Sequence, residues 1–294
     1  MKELVVISGK GGTGKTSVAG GFAVLASRNG RSVVADCDVD AADMHLILAP
    51  NVRETHEFTA SELAVVDPDK CTGCTKCEEM CRFGAVSFEK CIAVIDPIAC
   101  EGCGVCAEFC RPGAITMQPR VSGQWFVSTT RAGAMVHARL GIAEANSGKL
   151  VSQIRKRARQ IAEDENCDYL IVDGSPGLGC PVIASVTGAD ALLVVTEPTQ
   201  SGLHDMERVL ELARHFEIPQ HVCVNKADIN PEVAGEIEYK AAESGAAVTP
   251  RIPYDPDVTR AQVAQQTIVE LSDGPAASAI GRMWRQISQT LQSD

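Results

Sequence analysis

The first apolar run of the chain, Leu4–Ser8, is short and uninterrupted, the pattern of a strand covered on both faces. A glycine-rich stretch follows, then apolar positions at helical spacing over Thr16–Arg28, ending at Asn29-Gly30. Ser32–Asp36 is a second apolar run. Strand, loop, helix and strand in that order predict a parallel sheet with a right-handed crossover. From about Asp67 to Pro119 the pattern changes. Glycine, proline and cysteine punctuate the chain every few residues, and no long helical period survives. Trp125–Thr130 and Ala134–Leu140 then read as strands, and Ser147–Glu165 as a helix capped by Ser147. The α/β rhythm returns with apolar runs at Tyr169–Asp173, Ala191–Thr196 and His221–Asn225, separated by helical segments such as Gly202–His215. A strand at Ala247–Ile252 and a helix at Ala276–Leu291 complete the pattern. The expectation is an α/β fold, a mainly parallel sheet flanked by helices, built from residues 1–64 and 119–294. Residues 65–118 form a small inserted domain whose two ends lie close together on the host's surface.

The insertion changes the picture through its cysteines. Eight of the thirteen in the chain form two runs, Cys71, Cys74, Cys77, Cys81 and Cys100, Cys103, Cys106, Cys110, both spaced C-x-x-C-x-x-C-x-x-x-C. The segment also repeats itself, since Cys81-Arg82-Phe83-Gly84-Ala85-Val86 parallels Cys110-Arg111-Pro112-Gly113-Ala114-Ile115. That spacing lets a short loop wrap three thiolates around one iron–sulfur cube and send the fourth to a second cube. Two zinc sites are the alternative, but zinc prefers paired C-x-x-C units with a longer gap.

Composition narrows the setting. A net charge of −11 argues against a general nucleic-acid or membrane-surface binder. No stretch approaches ~18 uninterrupted apolar residues, so no membrane span is expected. No leader precedes the first strand, and the cysteine spacing is metal-like, which predicts a reducing cytoplasm.

The glycine-rich stretch is Gly9-Lys10-Gly11-Gly12-Thr13-Gly14-Lys15-Thr16 and fits G-x-x-x-x-G-K-[ST]. A polyphosphate needs many donors and a backbone that approaches it closely, which Gly11, Gly12 and Gly14 permit at the start of a helix. Lys15 is expected to reach the β- and γ-phosphates, and the Thr16 hydroxyl to ligate magnesium. Asp36-Cys37-Asp38-Val39-Asp40 and Asp173-Gly174-Ser175-Pro176-Gly177 follow later strands. Carboxylates at the carboxyl ends of parallel strands face the ligand crevice, where one holds magnesium through water and another orients the attacking water. Asp40 and Asp43 read equally well as residues of a solvated turn.

These motifs resemble the deviant Walker A loop of the MinD/ParA/Mrp group of P-loop ATPases, whose extra lysine is here Lys10. Asp36-x-Asp38 resembles that group's switch I and Asp173-Gly-Ser-Pro-Gly its switch II. Asn225-Lys226 and Ile252-Pro253-Tyr254-Asp255 resemble its adenine-binding elements. The resemblance implies a P-loop NTPase fold that hydrolyses ATP with Mg2+. It gives Lys10, Lys15, Asp38 and Asp173 catalytic roles, and gives Gly11–Ser17, Asn225, Pro253 and Asp255 contact with the nucleotide. It further implies an ATP-sandwich dimer, a homodimer or a heterodimer with a related ATPase, in which Lys10 reaches the partner's phosphates. Over its whole length the chain is similar to the subgroup with an inserted bacterial-type two-cluster ferredoxin domain of α+β structure. By that analogy Cys71, Cys74, Cys77 and Cys110 hold one [4Fe-4S] cluster, and Cys100, Cys103, Cys106 and Cys81 the other. Ferredoxins place proline directly after the fourth cysteine; Arg82 and Arg111 stand there here, and positive charge so close raises the expected potentials.

The remaining candidates are weaker. Cys37, Cys91, Cys167 and Cys223 lie in or near apolar runs and are expected to be packing residues. Cys180 follows Asp173 at the spacing of a cysteine that bridges a cluster across the nitrogenase iron protein dimer. The place of that protein's second cysteine falls on Ala145, so half the ligands are missing. His137 and His204 each stand alone and read as structural, and Lys156, Arg157 and Arg159 as a solvated basic face. Three functions fit: an ATP-gated electron-transfer switch acting on a redox or iron–sulfur client, a cluster carrier or maturation factor of Mrp type, and a positioning ATPase. The last is weakened by a final helix, Ser278–Gln289, of modest amphipathicity with only two arginines.

Overall fold

The structure, a computed structural model, describes residues 1–141 and 147–293. Its elements in chain order are β1 (Lys2–Ser8), α1 (Lys15–Asn29), β2 (Ser32–Asp36), α2 (Met44–Leu48) and β3 (Asn51–Val66). Then come α3 (Lys76–Met80), β4 (Val86–Glu89), β5 (Ile92–Ile95), α4 (Val105–Glu108), β6 (Ile115–Thr130) and β7 (Gly133–Leu140). The rest is α5 (Ser147–Asp164), β8 (Tyr169–Pro176), α6 (Cys180–Val186), β9 (Ala191–Thr196), α7 (Gln200–Arg214), β10 (Gln220–Val224), α8 (Pro231–Glu243), β11 (Ala247–Val248), α9 (Asp257–Val263), α10 (Ile268–Leu271) and α11 (Pro275–Ser293).

Strand order in the main sheet is β11-β10-β9-β1-β8-β2-β7-β6-β3. β1 pairs in parallel with β8 and β9, as do β2 with β8 and β7, and β10 with β9 and β11. The fold is thus α/β with a mostly parallel sheet flanked by helices, as the apolar runs predict. Val5 lies opposite Val172 and Leu192, so the carboxyl ends of β1, β8 and β9 finish side by side, and β2 aligns Asp36 with Asp173.

The chain divides into two compact units. One comprises Met1–His56, Trp125–Arg139 and the described residues from Ser147; the other comprises Glu57–Gln124 with Leu140 and Gly141. The chain passes between them within β3 and β6. In the first unit α1 and α11 bury Phe22, Ile280, Met283, Trp284 and Ile287 against the sheet. Trp284 sits 5.4 Å from Phe22 and meets Tyr169 edge-on at 5.1 Å. The apolar face of α11 is therefore pronounced rather than modest, and it is consumed by the core. Among the described residues no helix is long and apolar enough to cross a membrane. In the second unit a small cluster of Ala64, Cys77, Val86, Ala93 and Ile115 is buried, and Cys71, Cys81, Cys100, Cys106 and Cys110 pack against it, while Cys74 and Cys103 are exposed. β4 and β5 form its antiparallel hairpin.

Several expectations change. β3 and the first half of β6 were not foreseen, because they are polar. Arg53, Glu54, Glu57 and Glu62 leave no apolar alternation, and β3 is an edge strand, mostly exposed. The strand expected over Ala247–Ile252 stops at Val248. Thr249 turns both its N–H and its hydroxyl onto Val222 O, Pro250 has no N–H, and the chain rejoins the sheet only as a bridge between Ile252 and Asn225. α7 starts earlier than Gly202, because the Thr199 hydroxyl accepts the Gly202 N–H at 3.0 Å as its cap. Ser147 is already helical, so the capping position before it lies outside the described residues. Cys37, Cys167 and Cys223 are buried as expected, but Cys91 is exposed, at φ 66° in the β4–β5 turn.

The basic face of α5 is also not wholly solvated. Arg155 Nε and Arg159 Nε each donate to Glu3 at 2.5 Å, while Arg155 Nη1 reaches Thr187 O at 2.6 Å; Glu3 and Arg155 are nearly fully buried. Arg157 reaches Glu54 at 3.7 Å, and only Lys156 points into solvent. Removing one partner of a buried pair strands the other charge. Arg155→Ala is expected to destabilise the first unit by about 3–5 kcal/mol, and Glu3→Gln by less. Urea unfolding followed by the fluorescence of buried Trp284 checks this; an unchanged midpoint for Arg155→Ala would remove the pair's structural role.

Candidate functional site

β1 ends at Ser8, whose hydroxyl donates to Lys10 O at 2.8 Å and starts the loop's turn. The loop then runs to Gly14 at φ 87°, where a Cβ would stand 2.3 Å from Asn225 Nδ2, so only glycine fits. Asn225, just past β10, donates from that amide to Thr13 O at 2.7 Å and accepts the Lys226 N–H on its oxygen at 2.9 Å. Both ends of its side chain are thus occupied, the nitrogen in bracing the phosphate loop.

α1 begins at Lys15, and its ammonium is buried among three carboxylates. Lys15 Nζ lies 2.7 Å from Asp173 Oδ1 and 3.2 Å from Asp38 Oδ2. Burial works against its charge, but Asp173 and Asp38 outweigh that and hold its pKa above the usual lysine value. Asp36 is fully buried, accepting the N–H groups of Asp38 at 3.2 Å and Met44 at 3.3 Å. Desolvation first, and then the Asp173 charge, push the Asp36 carboxyl well above the ordinary range. Asp38 is raised too, chiefly by burial, with Lys15 pulling the other way. Ser175 Oγ donates to Cys37 O at 2.6 Å, tying the two acidic strand ends together.

A cavity of about 640 Å³ covers this cluster, lined by Gly11, Gly12, Thr13, Gly14, Lys15, Thr16, Ser17 and Asp38 and walled by Leu46, Ile47 and Gln265. A second hollow, about 270 Å³, shares Gly12, Gly14 and Ser17 with it and adds Asn225, Pro253, Tyr254 and Asp255. The phosphate-loop residues and the residues expected at the base are therefore brought together. Thr13 Oγ1 and Asp173 Oδ2 are buried without a protein partner. One buried hydroxyl donor and one buried carboxylate acceptor, beside a loop of N–H groups, fit a polyphosphate and a divalent cation. Lys10 lies apart from both cavities. Its ammonium is 3.5 Å from Glu197 Oε2 and 3.5 Å from Thr199 Oγ1, and Glu197 also holds Lys226 at 2.6 Å. Glu197 and Thr199 were not foreseen. The signal was their place at the end of β9, the same strand-end position that marked Asp38 and Asp173.

In the second unit Cys71, Cys74, Cys77 and Cys110 line one cavity, and Cys81, Cys100, Cys103 and Cys106 line another. Phe88, Ala93 and Ile115 complete the first wall; Phe83, Val86 and Met117 complete the second. The Ala114 N–H donates to Cys110 Sγ at 3.3 Å. Among the described residues no three His, Cys, Asp or Glu side chains converge as a single-ion site. Each cavity brings four cysteines to its wall. Cys180 is exposed at the start of α6, and Ala145 lies outside the described residues. His137 is buried against Ser128 Oγ at 2.9 Å, with burial lowering its pKa to about 4, so it is structural; His204 is exposed.

Comparison with known proteins agrees with this geometry. An uncharacterized protein of Methanocaldococcus jannaschii is 30% identical over 287 residues, 98% of this chain and 96% of its own length. An iron-sulfur cluster carrier protein of Pyrococcus horikoshii is 26% identical over 159 residues, covering 49% of this chain and 53% of that one. The cell division ATPase MinD of Pyrococcus furiosus has the same fold, with a TM-score of 0.58 at 16% identity over 98% of this chain and 99% of that one. The family profile of the CobQ/CobB/MinD/ParA nucleotide binding domain matches residues 4–268, from the first strand to the start of α10. With its phosphate loop, paired acidic strand ends and parallel sheet, the chain belongs to the CobQ/CobB/MinD/ParA family of nucleotide-binding domains.

Proposed function

We propose that this protein is an ATPase whose nucleotide state gates electron transfer from two [4Fe-4S] clusters, held in its second unit, to a partner protein. The observation that carries the reading is the sorting of eight cysteines into two cavities, each with three from one run and the fourth from the other. That crossing is what two-cluster ferredoxins use. When bound, the clusters supply one-electron storage. The cysteine thiolates would hold them, and the apolar walls of Phe88, Ile115 and Met117 would limit water on their inner sides.

On the nucleotide side, the β- and γ-phosphates take Lys15 over from Asp173 and Asp38. Asp38, released from Lys15, would orient the attacking water, and Asp173 and the Thr16 hydroxyl would hold the cation. Magnesium, when bound, neutralises developing phosphate charge. Pro253, Tyr254 and Asp255 border the base, with Asn225 holding the loop beneath it. Lys10, only loosely held at its present position, is free to cross to a partner's nucleotide in a dimer. The alternative, a cluster carrier, draws support from the name of the Pyrococcus horikoshii relative. Four-thiol cavities walled by apolar side chains favour retention over delivery, and so favour the electron-transfer reading.

Purified without oxygen, the protein is expected to hold about eight irons per chain, and Cys81→Ser to lose chiefly the cluster grouped with the second run. Two zincs, or about four irons after full reconstitution, would overturn the two-cluster assignment. Lys15→Ala is expected to abolish nucleotide binding, whereas Asp38→Ala should bind ATP and hydrolyse it about a hundredfold or more slowly. Normal turnover by Asp38→Ala would refute its role. Hydrolysis is expected to rise faster than linearly with protein concentration around the dimer dissociation constant, and Lys10→Ala to bind ATP without dimerising. A Lys10→Ala protein that dimerises normally with ATP would remove the trans role.

A further inference from the structure

The chain leaves the cysteine-bearing unit along β6 and turns at Arg131, and the whole guanidinium of that residue is committed to the nucleotide side. Nη1 donates to Leu48 O at 2.9 Å and Nη2 to Ile47 O at 2.5 Å, the last two residues of α2. Nη2 also reaches Gln265 O at 3.2 Å, while Nε and Nη2 fork onto the Glu270 carboxylate at 2.5 and 2.8 Å. Ile47 and Gln265 line the phosphate cavity.

α2 is the helix on which the Asp36-x-Asp38 loop ends. Its first residue, Met44, donates its N–H to Asp36, and its Ile47 nests where α1 has Gly20, whose missing Cβ would stand 2.4 Å from the isoleucine. Past its last residue the chain turns through Ala49 at φ 46° and enters β3, the strand that leads into the cysteine unit. α2 is thus tied to Asp36 at one end and to Arg131 at the other. The stretch of chain before it enters the cysteine unit at Glu57 and the stretch after it returns at Trp125 are joined, within the first unit, by one side chain. The anchor is firm. Glu270 closes a capping box with Thr267, and although burial opposes it, Arg131 and Thr267 hold its carboxyl down to about 2. Orphan carbonyls at a helix end and a forked carboxylate are the strongest partners a guanidinium finds short of phosphate.

We infer that Arg131 is the positioning residue through which nucleotide state and the cysteine unit are coupled; this rests on the gating function proposed above. When phosphates draw Lys15 away from Asp38, the loop from Asp36 to Met44 is freed to rearrange, and α2 shifts with it. Parting α2 from the β6–β7 turn would break several charge-assisted hydrogen bonds at once, so the strand ends follow the helix.

The test uses the cluster-loaded protein and measures how fast a ferrous chelator strips its iron, with and without a non-hydrolysable ATP analogue. Hydrogen exchange over residues 44–48 and 115–130 gives a second readout. In the unaltered protein the analogue is expected to change the stripping rate by about fivefold or more, and to alter exchange in both segments. Arg131→Lys keeps the charge but loses the fork; it should still bind the analogue, yet its nucleotide effect should fall to below about twofold. Glu270→Gln, which loosens the anchor without touching α2, should give an intermediate effect, and carries the test should Arg131→Lys fold poorly. A merely structural role would speed stripping in the variants with and without nucleotide alike and leave the ratio intact, which refutes the inference while the gating function stands. No nucleotide effect in the unaltered protein would refute the gating function and the inference with it.

Discussion

Everything at the nucleotide site is arranged around one buried ammonium. Lys15 is the single cation among Asp36, Asp38 and Asp173, all at the ends of neighbouring parallel strands. Burial first, and the neighbouring carboxylate charge after it, push Asp36 and Asp38 upward in pKa, while Asp173 and Asp38 hold Lys15 charged against its own burial. The cluster is electrostatically incomplete: one positive charge serves three acids, and Asp173 Oδ2 remains unpartnered. A polyanion alone would worsen the imbalance by taking Lys15. A polyanion that brings a divalent cation corrects it, since the cation takes over the acids that the lysine leaves. On the proposed function, charge balance thus favours metal-bound nucleotide over free nucleotide.

Much of this was legible in the sequence, for identifiable reasons. The central strands announce themselves because they are buried on both faces and carry almost nothing but apolar residues, as in Leu4–Ile7 and Leu192–Val195. The phosphate loop is legible because its chemistry dictates residue types at fixed positions. β3 was invisible because an edge strand rich in Arg and Glu has no period to read, and β11 was overextended because Thr249 and Pro250 redirect hydrogen bonds in a way that hydropathy does not register. Arg131, Glu197 and Thr199 were missed for a different reason: each owes its place to partners far away in sequence. Asn225 shows a subtler limit, since its place just after a buried strand was readable but the direction of its amide, onto Thr13 O, was not.

The two units solve the problem of a core in different ways. The first has a large apolar interior in which α1, α11 and the sheet interlock around Phe22 and Trp284. The second has a small apolar cluster, and six of the eight cysteines of its runs are packed in or against it. A unit of that size with so little hydrocarbon inside is marginal by itself. Ligation by thiolates couples metal binding to folding in such cases, so on the proposed function cluster occupancy and the integrity of this unit form a single equilibrium.

The strand order carries a consequence for biosynthesis. β1 and β2 are made first, yet they are not neighbours; β8 stands between them, and β9 flanks β1 on its other side. Until the ribosome has passed beyond Pro176, the phosphate loop is attached to strands whose principal partners do not exist. By then all eight cysteines of the two runs have long since emerged, in a segment whose contacts are local. On the proposed function, vectorial synthesis therefore exposes the cluster-binding cysteines before the nucleotide-binding crevice can close.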